Sequence, residues 1–187
     1  MKSLHRVPLC MVVLIVSVLA VNIASAQTGT VMIVADHRDP SSIPSSSEIF
    51  TNAYKEISKV FSRKGLRTLP ASEVASARRL GAKIERNLGL AVEAARNSRG
   101  RVSTLLGVKI FITMHRGAKS NSFKVWIDGE ARDVTFGKVK AKHEQRSKKR
   151  HTVEKSCGRD CMLERAIEAV KPTATKFATK MVGLLGK

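Results

Sequence analysis

The chain has 187 residues, a formal net charge of +19 and only 4% aromatic residues. This length suits one ordinary domain, and the shortage of rings argues against a dedicated single-stranded nucleic-acid binder, which stacks bases on several aromatic side chains. The charge exceeds what solubility requires and favours polyanionic partners: nucleic acid, lipopolysaccharide or anionic lipid, an acidic polymer or an acidic protein. The simpler alternative is a basic exported protein without such a partner.

The first 26 residues have the pattern of a signal peptide. Lys2 and Arg6 are followed by an apolar run at about 7–21, and then by Ala-Ser-Ala at 24–26, the small-x-small pattern of a cleavage site. The run is shorter than the roughly 20 apolar residues that span a bilayer. An uncleaved membrane anchor is the alternative.

Cleavage at this site predicts an exported domain at 27–187, with no later transmembrane segment. It retains 32 basic and 15 acidic residues, a net charge of +17. Cys10 lies near the start of the apolar run and does not follow it, so we do not expect a lipid-modified cysteine. We predict a periplasmic location, with secretion as the second possibility.

Two cysteines remain after cleavage, Cys157 and Cys161 in the segment CGRDC. An even pair in an oxidising compartment predicts a disulfide, and Gly158 gives the short loop the freedom to close. Three residues separate the cysteines, whereas a redox motif has two. A metal site would have to recruit His143 or His151 without recognisable spacing. Redox or metal binding and free thiols remain as weaker alternatives.

The first half of the domain predicts a strand, a helix, a strand and further helices. The apolar run 31–34 is typical of a strand buried on both faces. Ser45 and Glu48 have the spacing of a capping box, and the helix that follows is predicted to end at Gly65. LRTLP is a short strand. Residues 71–106 are rich in Ala, Arg, Glu and Leu and predict helices, interrupted near Gly81, Gly89 and Gly100.

The second half predicts three strands and a helix. In VKIFITMHR, FKVWIDGEAR and KVKAKHEQR, apolar and polar residues alternate with the period of a strand. The turn between the last two strands lies at Phe136-Gly137. SKKRHTVEKS is interpreted as a charged loop. The terminal segment has an apolar helical stripe that Pro172 should kink or split.

The expected fold is therefore α+β: a single domain with a mixed sheet of about five strands, ending in an antiparallel meander and covered by helices.

Three segments carry a resemblance to a known family: VMIVAD, LLGVKIFITMHRG and FKVWIDGEARDVTFGKVKAKHE. Together with KGLRTLP and a terminal helix, they resemble the amino-terminal domain of TolB and the related domains of CsgG and of the lipoprotein activators of penicillin-binding proteins. The resemblance implies a periplasmic adaptor that assembles envelope complexes without catalysing a reaction. This chain is more basic than that family and has its own cysteine pair.

Candidates for catalysis are weak. Asp36, His37 and Asp39 follow the first strand, where a histidine beside two carboxylates suits a metal or a general base. An ordinary polar loop is the simpler interpretation, and His143 and His151 are interpreted as part of a solvated basic surface. The sequence has no phosphate-binding glycine loop, nucleophile elbow or metalloprotease motif. We therefore predict no enzymatic activity and no cofactor.

A row of basic residues is the strongest candidate for a binding site. The predicted anionic-partner site comprises Trp126, Lys138, Lys140, Lys142, Arg146, Lys148, Lys149 and Arg150. The cations would neutralise phosphates or carboxylates, and Trp126 would stack on a base or sugar. Alternatively, helices cover the aromatics, or the cations protect an edge strand from aggregation. Two functions are thus expected: an envelope adaptor for unidentified proteins, or a module that binds nucleic acid, lipopolysaccharide or an acidic polymer.

Overall fold

A mixed sheet with helices on both faces forms the domain. The structure, a computed structural model, describes residues 29–186, so the predicted signal peptide and Cys10 lie outside the described residues. The strands are β1 (Thr30–Ala35), β2 (Arg67–Pro70), β3 (Thr104–Arg116), β4 (Ser120–Asp133), β5 (Val139–Arg146) and β6 (His151–Glu154). The helices are α1 (Glu48–Ser62), α2 (Ala75–Leu80), α3 (Lys83–Arg86), α4 (Leu88–Arg96) and α5 (Arg159–Leu185), with a 3₁₀ turn at Ala71–Glu73.

The strand order is β2-β1-β3-β4-β5, and β6 pairs with the same edge of β4 as β5 does. β1 is parallel to both β2 and β3, and the remaining pairs are antiparallel. The prediction of an α+β domain with a C-terminal meander is confirmed, with six strands instead of about five. None of the helices within residues 29–186 combines the length and apolar character needed to cross a membrane.

The sixth strand corrects the prediction that SKKRHTVEKS is a loop. The backbone of Ser147 still donates to the carbonyl of Val125, over 2.8 Å, and the chain then leaves the ladder for three residues. It returns where His151 pairs with Phe123, and Val153 is buried. Burial of this one apolar side chain and the free edge of β4 explain why a segment of such polarity forms a strand.

Two helices cover the first face of the sheet and make the larger core. α1 and α5 pack against each other and against buried residues of β1, β3, β4, β5 and β6. The largest fully buried side chains here include Phe61, Phe123 and Phe177. At about 25 cal/mol per Å² of buried apolar surface, such rings dominate the stability of this layer.

A second, smaller core lies on the opposite face, under α2, α3 and α4. It contains Met32 and Val34 of β1 and Leu105 of β3. Leu88 of α4 lies over Gly107, where an added Cβ would come within 2.9 Å of its Cδ1. The small helices therefore cover β1 and the start of β3, and the same face of β4 and β5 remains outside their reach.

Several boundaries differ from the predictions. The N-cap of α1 is Ser47, whose Oγ accepts from the amide of Ile49, whereas Ser45 donates instead to Glu85 of α3 over 2.5 Å. Residues 104–106 belong to β3, because their side chains alternate between the two cores. The predicted break at Gly81 is confirmed by its φ of 54°, but Gly89 lies inside α4, which begins after Asn87.

The prediction that Pro172 divides the last helix is wrong, since α5 is continuous from Arg159 to Leu185. Proline removes one backbone hydrogen bond from a helix interior. Here Val170 and Ala174, on either side of it, are completely buried against the sheet, while Pro172 itself is exposed. Tertiary packing thus keeps the helix continuous through Pro172.

Cys157 and Cys161 are joined by a disulfide, with their Cα atoms 5.4 Å apart. The bond links the segment after β6 to the first turn of α5. We expect the exported protein to take up no thiol label before reduction and two labels after it, measured by intact mass. Because the closed loop is very short, replacing both cysteines with serine should cost about 2 kcal/mol or less. Two labels without reduction would contradict the assignment.

Candidate functional site: the open sheet face

The part of the second face that the small helices leave uncovered is here called the open face. It is built from alternate residues of β3, β4 and β5, whose partners on the other face are buried under α1 and α5. The open face includes Lys109, Phe111, Trp126, Asp128, Glu130, Lys142, Glu144 and Arg146, together with the exposed Lys124 two residues before Trp126. The predicted alternation of these strands is thereby confirmed.

An aromatic pair lies in the middle of the open face. Phe111 and Trp126 are directly opposite on β3 and β4, with ring centroids 4.8 Å apart and planes inclined at 44°. The guanidinium of Arg146, on the neighbouring strand, lies 5.3 Å from the Trp126 centroid and makes a cation–π contact. Phe111 is nearly buried by this packing, whereas Trp126 is partly exposed. The exposed part of the Trp126 ring therefore offers an apolar contact surface.

Carboxylates accompany the predicted row of basic residues. Lys142 lies 2.9 Å from Glu130, which also accepts a hydrogen bond of 2.5 Å from Arg132. Lys140 lies 3.7 Å from Asp133, and Arg146 pairs with Glu144. Surface pairs of this kind contribute little to stability, but they neutralise the row. Most of the predicted basic strand is thus a mosaic of alternating charges.

A buried ion pair borders the open face at the end of β1. Asp36 is only 3% exposed and accepts hydrogen bonds of 2.8 and 2.6 Å from Nε and Nη2 of Arg38. Lys109 lies 3.7 Å from the same carboxylate. Burial by itself raises the pKa of Asp36, but the hydrogen bonds and charge of Arg38, with the charge of Lys109, outweigh burial and hold that pKa below its usual value.

A charged cleft of about 400 Å³ opens between this ion pair and the open face. Asp128 lies in it, and its pKa is raised by burial and by the nearby carboxylates of Glu144, Asp36 and Glu130, against the lowering effect of Lys109. Asp128 and Glu144 are direct cross-strand partners, an unfavourable arrangement for like charges. A cationic group from a partner would relieve this repulsion.

The rest of the predicted anionic-partner site lies outside the open face. Lys148, Lys149 and Arg150 occupy the three-residue excursion between β5 and β6 and are exposed. None of the three forms an ion pair with a carboxylate in the described part of the chain. Lys138 precedes β5, and Val139, predicted to face inward, is 43% exposed, because a register shift near Arg132 displaces the start of β5.

His143 and His151 are less exposed than the sequence predicted. His143 stacks on Phe177 of α5 at 6.0 Å, and His151 stacks on Phe123 at 5.3 Å. Both are half-buried against core rings, so the interpretation of a fully solvated surface is wrong for them. His37, near Asp36, has Nδ1 3.0 Å from the hydroxyl of Ser42.

The two carboxylates after β1, Asp36 and Asp39, both accept hydrogen bonds from residues close to them in the chain. The exposed Asp39 accepts hydrogen bonds from the amide and hydroxyl of Ser41, which lower its pKa. Within residues 29–186, no three His, Cys, Asp or Glu side chains are grouped as a metal site would require. Ligation in this cluster would therefore have to break the bidentate pair of Asp36.

Sequence reasoning missed the carboxylates that oppose the lysines. The alternation in FKVWIDGEAR predicts that Glu130 lies on the polar side of its strand, but only the register between β4 and β5 shows which cation it faces. The signal available was the alternation itself, which put Asp128, Glu130 and Arg132 on the polar side of β4. The pair Asp36–Arg38 had a signal too, since both residues directly follow a buried strand.

The sequence matches no protein-family model and no curated protein. Among solved structures, it is similar to a PelC dodecamer from Paraburkholderia phytofirmans at 13% identity, covering 84% of this chain and 88% of that one, with a TM-score of 0.44. Protein XCC0632 from Xanthomonas campestris gives 7% identity, coverages of 84% and 85%, and a TM-score of 0.45. Lipoprotein GNA1162 from Neisseria meningitidis is 10% identical, covers 79% of this chain and 99% of its own, and has a TM-score of 0.40. At these values the likeness identifies neither a family nor a function.

Proposed function

We propose that the protein is an exported, non-catalytic adaptor that docks on other envelope proteins through the open face. Export is supported by the signal-peptide pattern of residues 1–26 and by the disulfide, which suits an oxidising compartment such as the periplasm. The resemblance to the amino-terminal domain of TolB supports the same role. The proposed partner is a protein with a mixed-charge surface around an apolar contact.

One observation carries the choice of surface: the Phe111–Trp126 pair lies on a sheet face without a covering helix, surrounded by paired charges. Interfaces between proteins place tryptophan and arginine at the centre, where they contribute most of the affinity, and polar residues around them. Trp126 with Arg146 above it supplies such a centre. The ion pairs around it give directional contacts but no uniform charge that would attract a polyanion.

A polyanion-binding module remains as the second candidate, because of the excursion between β5 and β6. Lys148, Lys149 and Arg150 extend from the sheet edge without carboxylate partners among the described residues. Arg116 and Lys119, at the turn between β3 and β4, are exposed near the same end of the sheet. This candidate needs neither Trp126 nor the lysines of β5.

Matched variants separate the two functions in capture experiments with envelope extracts at low and high salt. We expect the double substitution Trp126→Ala and Arg146→Ala to weaken capture of a protein partner about tenfold or more, since each is typical of an interface hot spot. Replacing Lys148, Lys149 and Arg150 with glutamine should change it little, as should raising the salt.

The opposite pattern would favour the second candidate. Polyanion binding through several cations falls steeply as salt rises, and the glutamine substitutions at 148–150 would then abolish it while the Trp126 variant retained it. Replacing Lys138, Lys140 and Lys142 with glutamine tests the original basic row. Unchanged capture by that variant would show that the row has no part in binding.

A further inference from the structure

We infer that a cleft lined by arginines, at the end of the sheet opposite the β3–β4 turn, is a binding site for a phosphate-bearing anion. The cleft has a volume of about 1020 Å³ and lies over the amino-terminal ends of the three parallel strands. Its charged lining residues are Arg67, Arg79, Arg99, Arg101 and Glu73. The site is independent of the open face and of the adaptor function proposed for it.

The arginines come from three separate parts of the chain. Arg67 begins β2 and pairs with Thr30 of β1, and Arg101 precedes β3 on the other side of β1. Arg79 belongs to α2, and Arg99 to the loop that follows α4. Because the tertiary structure alone brings these residues together, no spacing in the sequence indicates the cleft.

The walls of the cleft are fixed by hydrogen bonds. Ser76 of α2 donates to the carbonyl of Ala94 in α4 over 2.5 Å, and Ser98 donates to the carbonyl of Ala95 over 2.5 Å. The amide of Ser103 donates to the carbonyl of Thr30 over 2.9 Å. These contacts tie α2, the loop and β1 together, so the guanidinium groups start from a common rigid frame, which lowers the entropic cost of binding.

Arg99 occupies an unusual backbone conformation. Its φ of 57° is positive, and among the described residues it is the only one other than glycine with this property. A side chain with a Cβ carries a steric cost in this region, and such strain often marks functional positions. The conformation places an arginine, not the glycine or asparagine usual there, on the wall of the cleft.

The charge balance selects the ligand class. None of the four arginines forms an ion pair with a carboxylate in the described part of the chain, and Glu73 is the only acidic residue that lines the cleft. Three positive charges therefore remain in excess. A single carboxylate carries one negative charge, whereas a phosphate or pyrophosphate carries about two or more and accepts paired hydrogen bonds from guanidinium forks.

Calorimetric titration with inorganic pyrophosphate, and binding to vesicles of phosphatidylglycerol compared with phosphatidylcholine, test the site in the purified exported protein. The two ligands distinguish a soluble phosphate compound from a lipid headgroup. Arg99→Gly combined with Arg101→Ala removes two guanidinium groups while keeping the backbone of residue 99 free of strain. Lys176→Ala combined with Lys180→Ala removes the same charge from two exposed positions on α5, away from the cleft and from the cations at 148–150.

We expect the affinity of the arginine variant to fall by about tenfold or more. The affinity of the lysine variant should stay close to that of the parent protein. Arg67→Ala with Arg79→Ala should reproduce the loss from different elements, and Glu73→Gln should tighten binding about threefold by removing a repelling charge. If these changes in affinity are seen with pyrophosphate, they support a soluble phosphate compound as the ligand. If they are seen only with anionic vesicles, they support a lipid headgroup. Equal losses in the charge-matched variants, or no binding to either probe, would overturn the site.

Discussion

Replacing Gly129 with alanine is expected to destabilise the domain by about 3 kcal/mol. Gly129 lies in β4 opposite His143 of β5, on the face covered by α5. A Cβ at this position would lie 2.3 Å from Cζ and 2.8 Å from Cε2 of Phe177. The ring is completely buried and stacked against His143, so it has no free volume into which it can move.

Thermal or denaturant unfolding measures this effect, and a loss of about 3 kcal/mol corresponds to a fall in Tm of roughly 6–12 °C for a domain of this size. Gly183→Ala is the matched control, because Gly183 is exposed in α5 and an added Cβ meets nothing within 4 Å. That control should stabilise by up to about 1 kcal/mol through helix propensity. Similar stability of the two variants would contradict the proposed packing.

A double substitution identifies the contact responsible. Phe177→Leu removes the ring tip that the new methyl group would strike. Phe177→Leu should therefore lower the free energy of unfolding much less in the Gly129→Ala background than in the parent protein. The two losses should differ by a coupling energy of about 1 kcal/mol or more. Purely additive losses would place the cost of Gly129→Ala somewhere other than Phe177.

Replacing Arg38 with methionine is expected to cost about 2 kcal/mol at neutral pH. Breaking a fully buried ion pair costs roughly 3–5 kcal/mol, because one charge remains buried without its partner. The cost is smaller here because the side chain of Arg38 is 39% exposed and Lys109 remains 3.7 Å from Asp36. As the control, Arg165→Ala removes an exposed pair with Glu168 and should cost no more than about 0.5 kcal/mol.

The contribution of Asp36 to the pH dependence of stability should have opposite signs in this variant and in the parent. The pKa of Asp36 is lowered in the folded protein. Its contribution to stability is therefore complete above the ordinary aspartate value of about 4 and is lost as the pH falls through the lower, folded value. Without Arg38, burial becomes the larger influence and raises the pKa of Asp36. Protonation of Asp36 at lower pH then removes the buried unpaired charge and makes the variant more stable.

Unfolding curves recorded from neutral pH to about pH 3 measure the difference between the two proteins. We expect the gap in free energy of unfolding to narrow as Asp36 becomes protonated. A gap that stays constant over this range would mean that the Arg38 side chain acts through packing alone and that its charge has no role.

The two proposed binding surfaces suggest how the high charge of the protein is distributed. On the open face, Lys142 and Arg146 are each paired with a carboxylate, whereas the arginines of the cleft and the cations at 148–150, near the two ends of the sheet, form no ion pair within residues 29–186. A protein partner in the middle and anions at the ends would then make contact with different elements. The variants at Trp126, at 148–150 and at Arg99 separate these contributions.

The sequence by itself determined the order of elements apart from β6, and the face on which the residues of β3 and β4 lie. The alternation through Lys109, Phe111, Trp126 and Asp128 follows from the two-residue period of a strand, so the polar side of the meander was predictable. The cysteine pair and the apolar stripe of α5 were predictable for the same reason, since each is formed by residues that are close together in the chain. Each of these features depends on neighbours in the chain, whose influence the sequence shows directly.

The tertiary structure alone decided which residues face one another across strands and layers. The register of β4 with β5 places Glu130 beside Lys142 and changes a basic row into an ion-pair mosaic. Packing against the sheet keeps α5 continuous through Pro172, against local propensity. The arginines of the cleft meet only because β2, α2 and the loop after α4 converge at one end of β1. Such contacts join distant parts of the chain, and their energies depend on a register and a packing that no local pattern specifies.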